Sequence, residues 1–293
     1  MAGISMNRII IRILQGLLFS HIALVSAEQS ISIEWSKSEA YYAGQNRNFF
    51  YQPNTTSLYY SLALNEAWSM GASLWRSEAS EYSDMDRWRL KEEGSGAALN
   101  INYLNGNWST NLGLSISETD LDIRSLGLPD FYKEQGETRD LNISLAYLFS
   151  FDRLDISPSF GLGSQQLKID SSGAIPPFTF SRDEEQTSSY AFSDLVLSTW
   201  FELSQASLVQ PSIQFGWTEA LSGASSFTVT KAGSAGLSRT NSSASNTKSD
   251  GSGYMGMSLS LFIDDFQLRF SHSKTFALNI NSETSSVELG IVF

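Results

Sequence analysis

The stretch RDLNISLAYLFSFDRLDISPSFGLGSQQLK, residues 139–168, contains two segments with alternating residue types on either side of a short turn. In the first segment every second residue is apolar, namely Leu141, Ile143, Leu145 and Tyr147. In the second, small or polar residues occupy every second position, namely Ser157, Ser159, Gly161 and Gly163. Because successive residues of a β-strand point to opposite faces, this alternation predicts two strands that each have an apolar and a polar face.

About twelve segments with this character follow Glu28 along the chain. They lie near 29–41, 56–64, 68–78, 96–104, 108–120, 139–149, 154–168, 189–204, 207–221, 253–263, 266–276 and 284–293. A tilted strand of about ten residues crosses the hydrocarbon core of a membrane, whereas a soluble strand usually has only about five or six residues. The segment lengths therefore favour membrane-spanning strands.

The connections between these segments are alternately short and long. The short ones are 65–67, 105–107, 150–153, 205–206 and 264–265, and most contain residues typical of hairpin turns. The long ones lie near 42–55, 79–95, 121–138, 169–188 and 222–252, with a shorter one near 277–283. Outer-membrane barrels have short periplasmic turns and long external loops. The pattern therefore predicts an all-β fold, a transmembrane antiparallel up-and-down β-barrel of about 12 strands with both termini periplasmic.

The first 27 residues have the features of a secretory signal peptide. Arg8 and Arg12 provide a positive start, an apolar run follows, and Val25-Ser26-Ala27 offers small residues to a signal peptidase. We expect residues 1–27 to be cleaved during export by the Sec route and residues 28–293 to form the barrel. The alternative interpretation is a buried core helix, which the small residues at the end of the run disfavour.

The composition argues against several classes of function. Without residues 1–27, which hold two arginines and no acids, the chain has 17 basic and 31 acidic side chains and a net charge of −14. Such a surface repels nucleic acid, and the sequence has no basic patch with interleaved aromatic residues. Since the chain has no cysteine, closed backbone hydrogen bonding must replace disulfides as the source of stability.

The sequence ends in VELGIVF, residues 287–293, in which Val287, Leu289, Ile291 and Phe293 share one face of a strand. In this ending, and in the strand pattern of the whole mature chain, the sequence resembles the superfamily of bacterial outer-membrane β-barrels. The resemblance implies a location in the bacterial outer membrane. It also implies that the barrel-assembly machinery recognises these four residues as an assembly signal.

Aromatic residues lie near both ends of the predicted strands. Those beside the short turns or the carboxyl terminus are Tyr103, Trp108, Phe149, Phe151, Phe201, Phe262, Phe266 and Phe293. Those towards the long loops are Trp75, Tyr190, Trp217, Tyr254 and Phe276. Two such bands are typical of the interfacial girdles of a membrane barrel. The alternative is a secreted β-sandwich with these residues in its core, which would not need alternating short and long connections.

The polar face of the strands is expected to line the inside of the barrel. It consists mostly of Ser, Gly and Asn, and its charged candidates for lining a pore are Glu34, Asp155, Asp194, Glu202, Arg269 and Glu288. A barrel of about twelve strands is wider than the eight-stranded barrels that side chains fill, so small polar residues would leave a narrow pore whose acids disfavour anions. The alternative is a lumen filled by side chains or by residues 222–252, which could equally extend outside as a flexible loop.

Residues suited to catalysis or metal binding are scarce. His272 is the only histidine after residue 27, and one histidine without cysteine cannot form a zinc site. In strand register it follows Phe270 and points outward. Outer-membrane phospholipase barrels have a histidine and a serine two residues apart on one strand, whereas here Lys274 lies two residues beyond the histidine. We therefore expect no enzymatic activity, no metal and no cofactor, although a lipid-active enzyme stays open.

Two functional hypotheses remain. The first is a pore for the passive passage of small hydrophilic solutes, and the second is a non-conducting surface protein that binds partners or adheres through its long loops. In size and layout the chain resembles solitary autotransporter-type barrels, which have a translocator and no passenger. We expect outer-membrane lipid and lipopolysaccharide as partners, the latter through the charged residues 84–91.

Overall fold

The computed structural model describes residues 29–43, 48–82, 88–125, 128–175, 178–204, 207–233, 236–245, 251–276 and 280–293. The predicted signal peptide, residues 1–27, lies outside the described residues and stays a prediction. Among the described residues, no helix is long and apolar enough to cross a membrane.

Twelve antiparallel strands form one closed sheet. In chain order they are β1 (Gln29–Ala43), β2 (Pro53–Ala63), β3 (Trp68–Tyr82), β4 (Trp88–Asn105), β5 (Trp108–Ser125), β6 (Leu128–Tyr147), β7 (Leu154–Ile175), β8 (Phe178–Thr199), β9 (Ser207–Gly233), β10 (Ser252–Ile263), β11 (Phe266–Phe276) and β12 (Ile280–Val292). Each strand pairs with the next along the chain, and β12 pairs with β1. This confirms the predicted antiparallel up-and-down barrel of twelve strands.

Four shorter strand segments extend the hairpins of this barrel. Asn48–Tyr51 pairs with β1, Phe149–Phe151 with β7, and both Phe201–Ser204 and Gly236–Ser245 with β9. All of them belong to the same sheet as the twelve strands.

The short connections lie at the end of the barrel where Gln29 and Phe293 meet. These two residues exchange backbone hydrogen bonds of 2.9 and 2.8 Å. Asp152, Asp264 and Gly106 occupy turns with φ of 50°, 50° and 58°, the left-handed region that Gly, Asn and Asp tolerate best. The predicted turn at 205–206 lies outside the described residues. The assignment of this end of the barrel to the periplasm stays a prediction.

The strands extend into the predicted long loops in the part of the chain that the structure describes. Within 42–55, 79–95, 121–138, 169–188 and 222–252, nearly all described residues belong to strands. For example, Asp122 pairs with Lys133 and Gly173 with Phe180, well inside two of the predicted loops. In these extensions the outer face of the strands is mostly polar. The apolar outer face that guided the prediction therefore ends before the backbone pairing does.

Residues 222–252 need a separate correction, since they were considered as a plug or as a flexible external loop. Ala224 to Ala232 pair with β8 on one side and with Gly236–Ser245 on the other. A strand with neighbours on both sides continues the wall of the barrel. The described residues of this segment therefore do not fold into the lumen.

The outer face of the barrel carries an exposed apolar band. Leu141, Ile143 and Leu145 of β6 are 47%, 51% and 47% exposed, and Arg139 is the next residue on the same face. Among the described residues no large side chain is fully buried. Exposed apolar surface on this scale needs a lipid environment, and a band of this kind surrounds membrane barrels. The arrangement excludes a secreted sandwich with an apolar core.

The aromatic girdle is confirmed only at the short-turn end. There the ring centroids of Trp68 and Tyr103 lie 4.7 Å apart, as do those of Trp108 and Tyr147. The second girdle is wrong in most of its members, because the register directs their side chains inward. Trp75, Tyr190 and Tyr254 face inward, as does Phe262 at the short-turn end, and only Trp217 and Phe276 are exposed on the outer face.

Candidate functional site

The strand register places all six charged residues predicted from the sequence on the inner face, opposite to the exposed apolar residues. Glu34, Glu288 and Arg269 form one row across β1, β12 and β11. Asp194 lies in the carboxyl-terminal third of β8, opposite Ser159 and Gly216. Asp155 and Glu202 lie away from the other four charged residues, beside short connections. That these residues line a water-filled pore stays a prediction.

Hydrogen bonds orient the carboxylates where the first and last strands meet. The Tyr59 hydroxyl donates to Glu34 Oε2 at 2.7 Å, and the Ser32 hydroxyl donates to Glu288 Oε1 at 2.6 Å. Arg269 lies opposite Glu288, and its Nε is buried without a hydrogen-bond partner. The junction of β11, β12 and β1 is therefore a polar and charged part of the inner wall.

A second acidic region, on β6 to β10, combines the predicted Asp194 with Asp140, Tyr190 and Tyr254, which the sequence analysis did not select as pore-lining. The Tyr190 hydroxyl donates to Asp140 Oδ2 at 2.6 Å, across the intervening strand β7. In the same way, the Tyr254 hydroxyl donates to Asp194 Oδ1 at 2.5 Å, across β9. Gln214 Nε2 in turn donates to the Tyr254 hydroxyl at 2.7 Å. The same arrangement thus occurs twice along the wall.

Glycines make this arrangement possible. A Cβ on Gly163 would lie 2.2 Å from Tyr190 Cζ, and a Cβ on Gly216 would lie 2.1 Å from Tyr254 Cε1. Phe192 lies over Gly161 in the same way, with a distance of 2.2 Å. Each ring therefore occupies the place of a missing side chain on the next strand. The rings lie along the wall instead of projecting to the centre of the lumen.

The inner face is otherwise small and polar. A cavity of about 480 Å³ against β1 to β6 is lined mainly by Ser, Gly and Asn, among them Ser61, Gly71, Ser73, Asn100, Asn111, Gly113, Ser115 and Asn142. Hydrogen bonds link neighbouring strands here, as between Asn111 Nδ2 and Asn102 Oδ1 at 2.5 Å. No group of three or more His, Cys, Asp or Glu in the described part of the chain is arranged to hold a metal ion.

His272 lies on the outer face, as the sequence predicted, and has a partner that the sequence did not show. Its Nδ1 is 3.0 Å from the Ser285 hydroxyl on β12. Within the described residues the structure gives His272 no further hydrogen bond, and acyl transfer requires a third group that orients the base. The adjacent Lys274 ammonium donates to Glu283 at 2.7 Å and holds the pKa of that carboxyl below its usual value. The absence of enzymatic activity stays a prediction.

Comparison with solved structures gives the same architecture. The translocator domain of the autotransporter NalP from Neisseria meningitidis matches with a TM-score of 0.66 and 11% identity, over 97% of this chain and 95% of that one. The β domain of the Bordetella autotransporter BrkA matches with a TM-score of 0.63 and 12% identity, over 92% of this chain and 100% of that one. The outer-membrane protease OmpT from Escherichia coli matches less well, with a TM-score of 0.45, 10% identity and coverage of 92% and 99%.

Neither a protein-family model nor a curated protein matches the sequence. At identities near 11% the structural likeness shows the fold alone. That fold is a closed 12-stranded outer-membrane β-barrel, and the exposed apolar band agrees with a location in the bacterial outer membrane. The likeness does not distinguish translocators, channels and other barrels of this class.

Proposed function

We propose that the protein is a narrow hydrophilic pore through which small solutes, preferentially cations, pass the outer membrane passively. The observation that carries this proposal is the inner face itself. Its side chains are small and polar over most of the wall, and several of its rings lie flat across glycines. An inner surface of this kind leaves the centre of the lumen to water.

The dimensions of the barrel support an open lumen. With strands about 4.8 Å apart and tilted by about 40°, twelve strands give a backbone diameter of about 24 Å. The described residues of 222–252 lie in the wall, so they do not obstruct this space.

The charge of the inner face supports a preference for cations. Among the described residues, the central part of the inner face carries the acids Glu34, Asp140, Asp194 and Glu288, and its basic residue is Arg269. Rings of acidic side chains favour cations in membrane pores, and the low dielectric of the surrounding lipid strengthens the effect.

Single-channel recording in planar lipid bilayers tests the proposal. We expect stepwise currents from the purified mature chain and, in a potassium chloride gradient, a reversal potential that shows preference for potassium over chloride. Because the described residues of 222–252 lie in the wall, deleting 223–252 should change the conductance little. Absence of current from well-folded protein, or current only after the deletion, would contradict the proposal.

A second candidate function is a surface protein that acts through its extended hairpins. One observation favours it: a groove of about 660 Å³ runs along the extensions of β4 to β8 and is lined by charged side chains of both signs, including Lys91, Asp120, Lys133 and Asp170. Lys91 donates to Glu93 and holds the pKa of that carboxyl below its usual value. Liposome swelling in small sugars distinguishes the candidates, because only an open lumen admits the solute.

A further inference from the structure

Five side chains on the inner face of β6, β8 and β10 form a continuous surface, here called the aromatic–carboxylate strip. They are Asp140, Tyr190, Phe192, Asp194 and Tyr254. The Tyr190 and Phe192 ring centroids lie 6.1 Å apart, and each tyrosine hydroxyl binds one of the two carboxylates. Aromatic faces and carboxylates therefore alternate along one side of the lumen.

The rings of the strip present one face to the lumen. Phe192, Tyr190 and Tyr254 each lie over a glycine of the neighbouring strand, so one face is covered by the wall. All three side chains are nevertheless partly exposed, and inside the barrel that exposure is towards the lumen. The hydroxyls of Tyr190 and Tyr254 are directed along the wall to the carboxylates. The electron-rich faces are thus left for a solute.

The carboxylates of the strip keep their negative charge available. Asp140 accepts hydrogen bonds from Tyr190 and from Asn142, the latter at 3.0 Å. Asp194 accepts from Tyr254 and, at 3.5 Å, from the Ser159 hydroxyl. All these donors are neutral, and no cationic side chain among the described residues forms an ion pair with either carboxylate. Neutral donors fix the position of a carboxylate without cancelling its charge.

Fixed carboxylates beside aromatic faces are suited to one class of solute. An ammonium ion is attracted to the face of an aromatic ring, and organic ammonium ions lose less hydration than small metal ions when they approach it. The carboxylates add charge attraction, whereas anions are repelled and neutral sugars gain nothing from the charge. We propose that the aromatic–carboxylate strip binds organic ammonium ions inside the lumen, a proposal that rests on the proposed pore for access in the membrane.

Calorimetric titration of the detergent-solubilised barrel with choline tests the strip, with the uncharged carbon isostere of choline as the control solute. We expect measurable binding of choline and none of the isostere. Asp194→Asn keeps the hydrogen-bond acceptor for Tyr254 and removes the charge, and Phe192→Leu keeps the apolar volume and removes the ring face. Each change should weaken choline binding by about three- to thirtyfold.

The matched control is Asp155→Asn, an inner-face acid outside the strip and beside a short turn. It should leave choline binding unchanged. The proposal would be overturned if the unmodified barrel bound choline and its isostere equally, an outcome that does not depend on any variant. It would also be overturned if all three variants lost choline binding equally.

The experiment also separates this proposal from the pore. Titration in detergent does not require conduction, so choline binding without bilayer currents would reject the pore and retain the strip. Potassium currents without choline binding would reject the strip and retain the pore. If both hold, choline added to a conducting channel should reduce the potassium current, and Phe192→Leu should weaken that block, measured as the fraction of the variant's own potassium current that choline removes.

Discussion

At the scale of single residues, the inner wall depends on pairs of a glycine and an aromatic ring on adjacent strands. Gly161, Gly163 and Gly216 each leave the space that a ring occupies, and two of these rings carry hydroxyls that position carboxylates. The glycines therefore determine both the free width of the lumen and the place of its charges. A side chain at any of them must displace a ring towards the centre.

Gly163→Ala tests this dependence. Its new Cβ would lie 2.2 Å from Tyr190 Cζ, so the ring must leave the wall and lose its hydrogen bond to Asp140. Overpacking of this kind costs about 1–3 kcal/mol. We expect a lower free energy of unfolding in urea and a smaller single-channel conductance. Gly136→Ala is the control, because its Cβ meets only Thr119 at 3.8 Å and should change neither quantity; equal effects of the two changes would contradict the account.

The sequence predicts the inward direction of single residues better than the contacts between them. Glu34 and Asp194 were selected because they alternate with apolar residues along their strands, which places them on the polar face. Tyr190 and Tyr254 were instead interpreted as girdle residues, since their position near the strand ends is visible in the sequence and their side of the strand was not weighed. Asp140 has the same parity as Asn142 and was available to the same argument, whereas its hydrogen bond with Tyr190, 50 residues further along the chain, follows only from the register.

At the scale of the strand, the outer face changes from apolar to polar at a definite position along the strand. On β7, Phe160 is 57% exposed within the apolar band, whereas Gln166 lies on the same face beyond the band and binds Glu185 at 2.6 Å. The first position faces lipid and the second faces water. A charge on the outer face should therefore be costly at one position and harmless at the other.

Phe160→Arg and Gln166→Arg form a matched pair on this strand. A basic residue on the lipid face costs about 2–4 kcal/mol at the bilayer midplane and about 0–1 near the interface. We expect Phe160→Arg to reduce the free energy of folding into lipid vesicles by about 2–4 kcal/mol. Gln166→Arg should change that free energy little. Urea titrations of folding into vesicles measure both values. A similar cost at the two positions would show that the band does not mark the membrane.

The sequence predicts the membrane-spanning part of each strand and not its full length. Alternation exists only where one face meets hydrocarbon and the other meets water, as in Leu112 and Leu114 of β5. Beyond Ile116 the outer face carries Glu118 and Asp120, so the apolar outer face that identifies the membrane-spanning part ends. Backbone pairing continues there regardless, because hydrogen bonding between strands does not require an apolar face.

At the scale of the whole molecule, the barrel reverses the usual distribution of apolar and polar residues. Its apolar side chains are exposed on the outside, and its polar side chains form a hydrogen-bonded network inside. The pairing of β12 with β1 closes the sheet, so each of the twelve described strands has a neighbour on both sides, which a lipid environment demands because backbone groups there have no water to bind. The central claim is thus that hydrocarbon lies outside the wall and water inside it.

Cysteine scanning along β5 tests this claim most directly, because the chain has no cysteine of its own. Single cysteines would replace Leu112, Leu114, Ser115, Ser117 and Asp120 in turn, and a membrane-impermeant maleimide would be added to the barrel in lipid vesicles. We expect fast labelling at the inward positions 115 and 117, no labelling at the lipid-facing positions 112 and 114, and fast labelling again at position 120, outside the band. Equal labelling rates at positions 114 and 115 would contradict the claim.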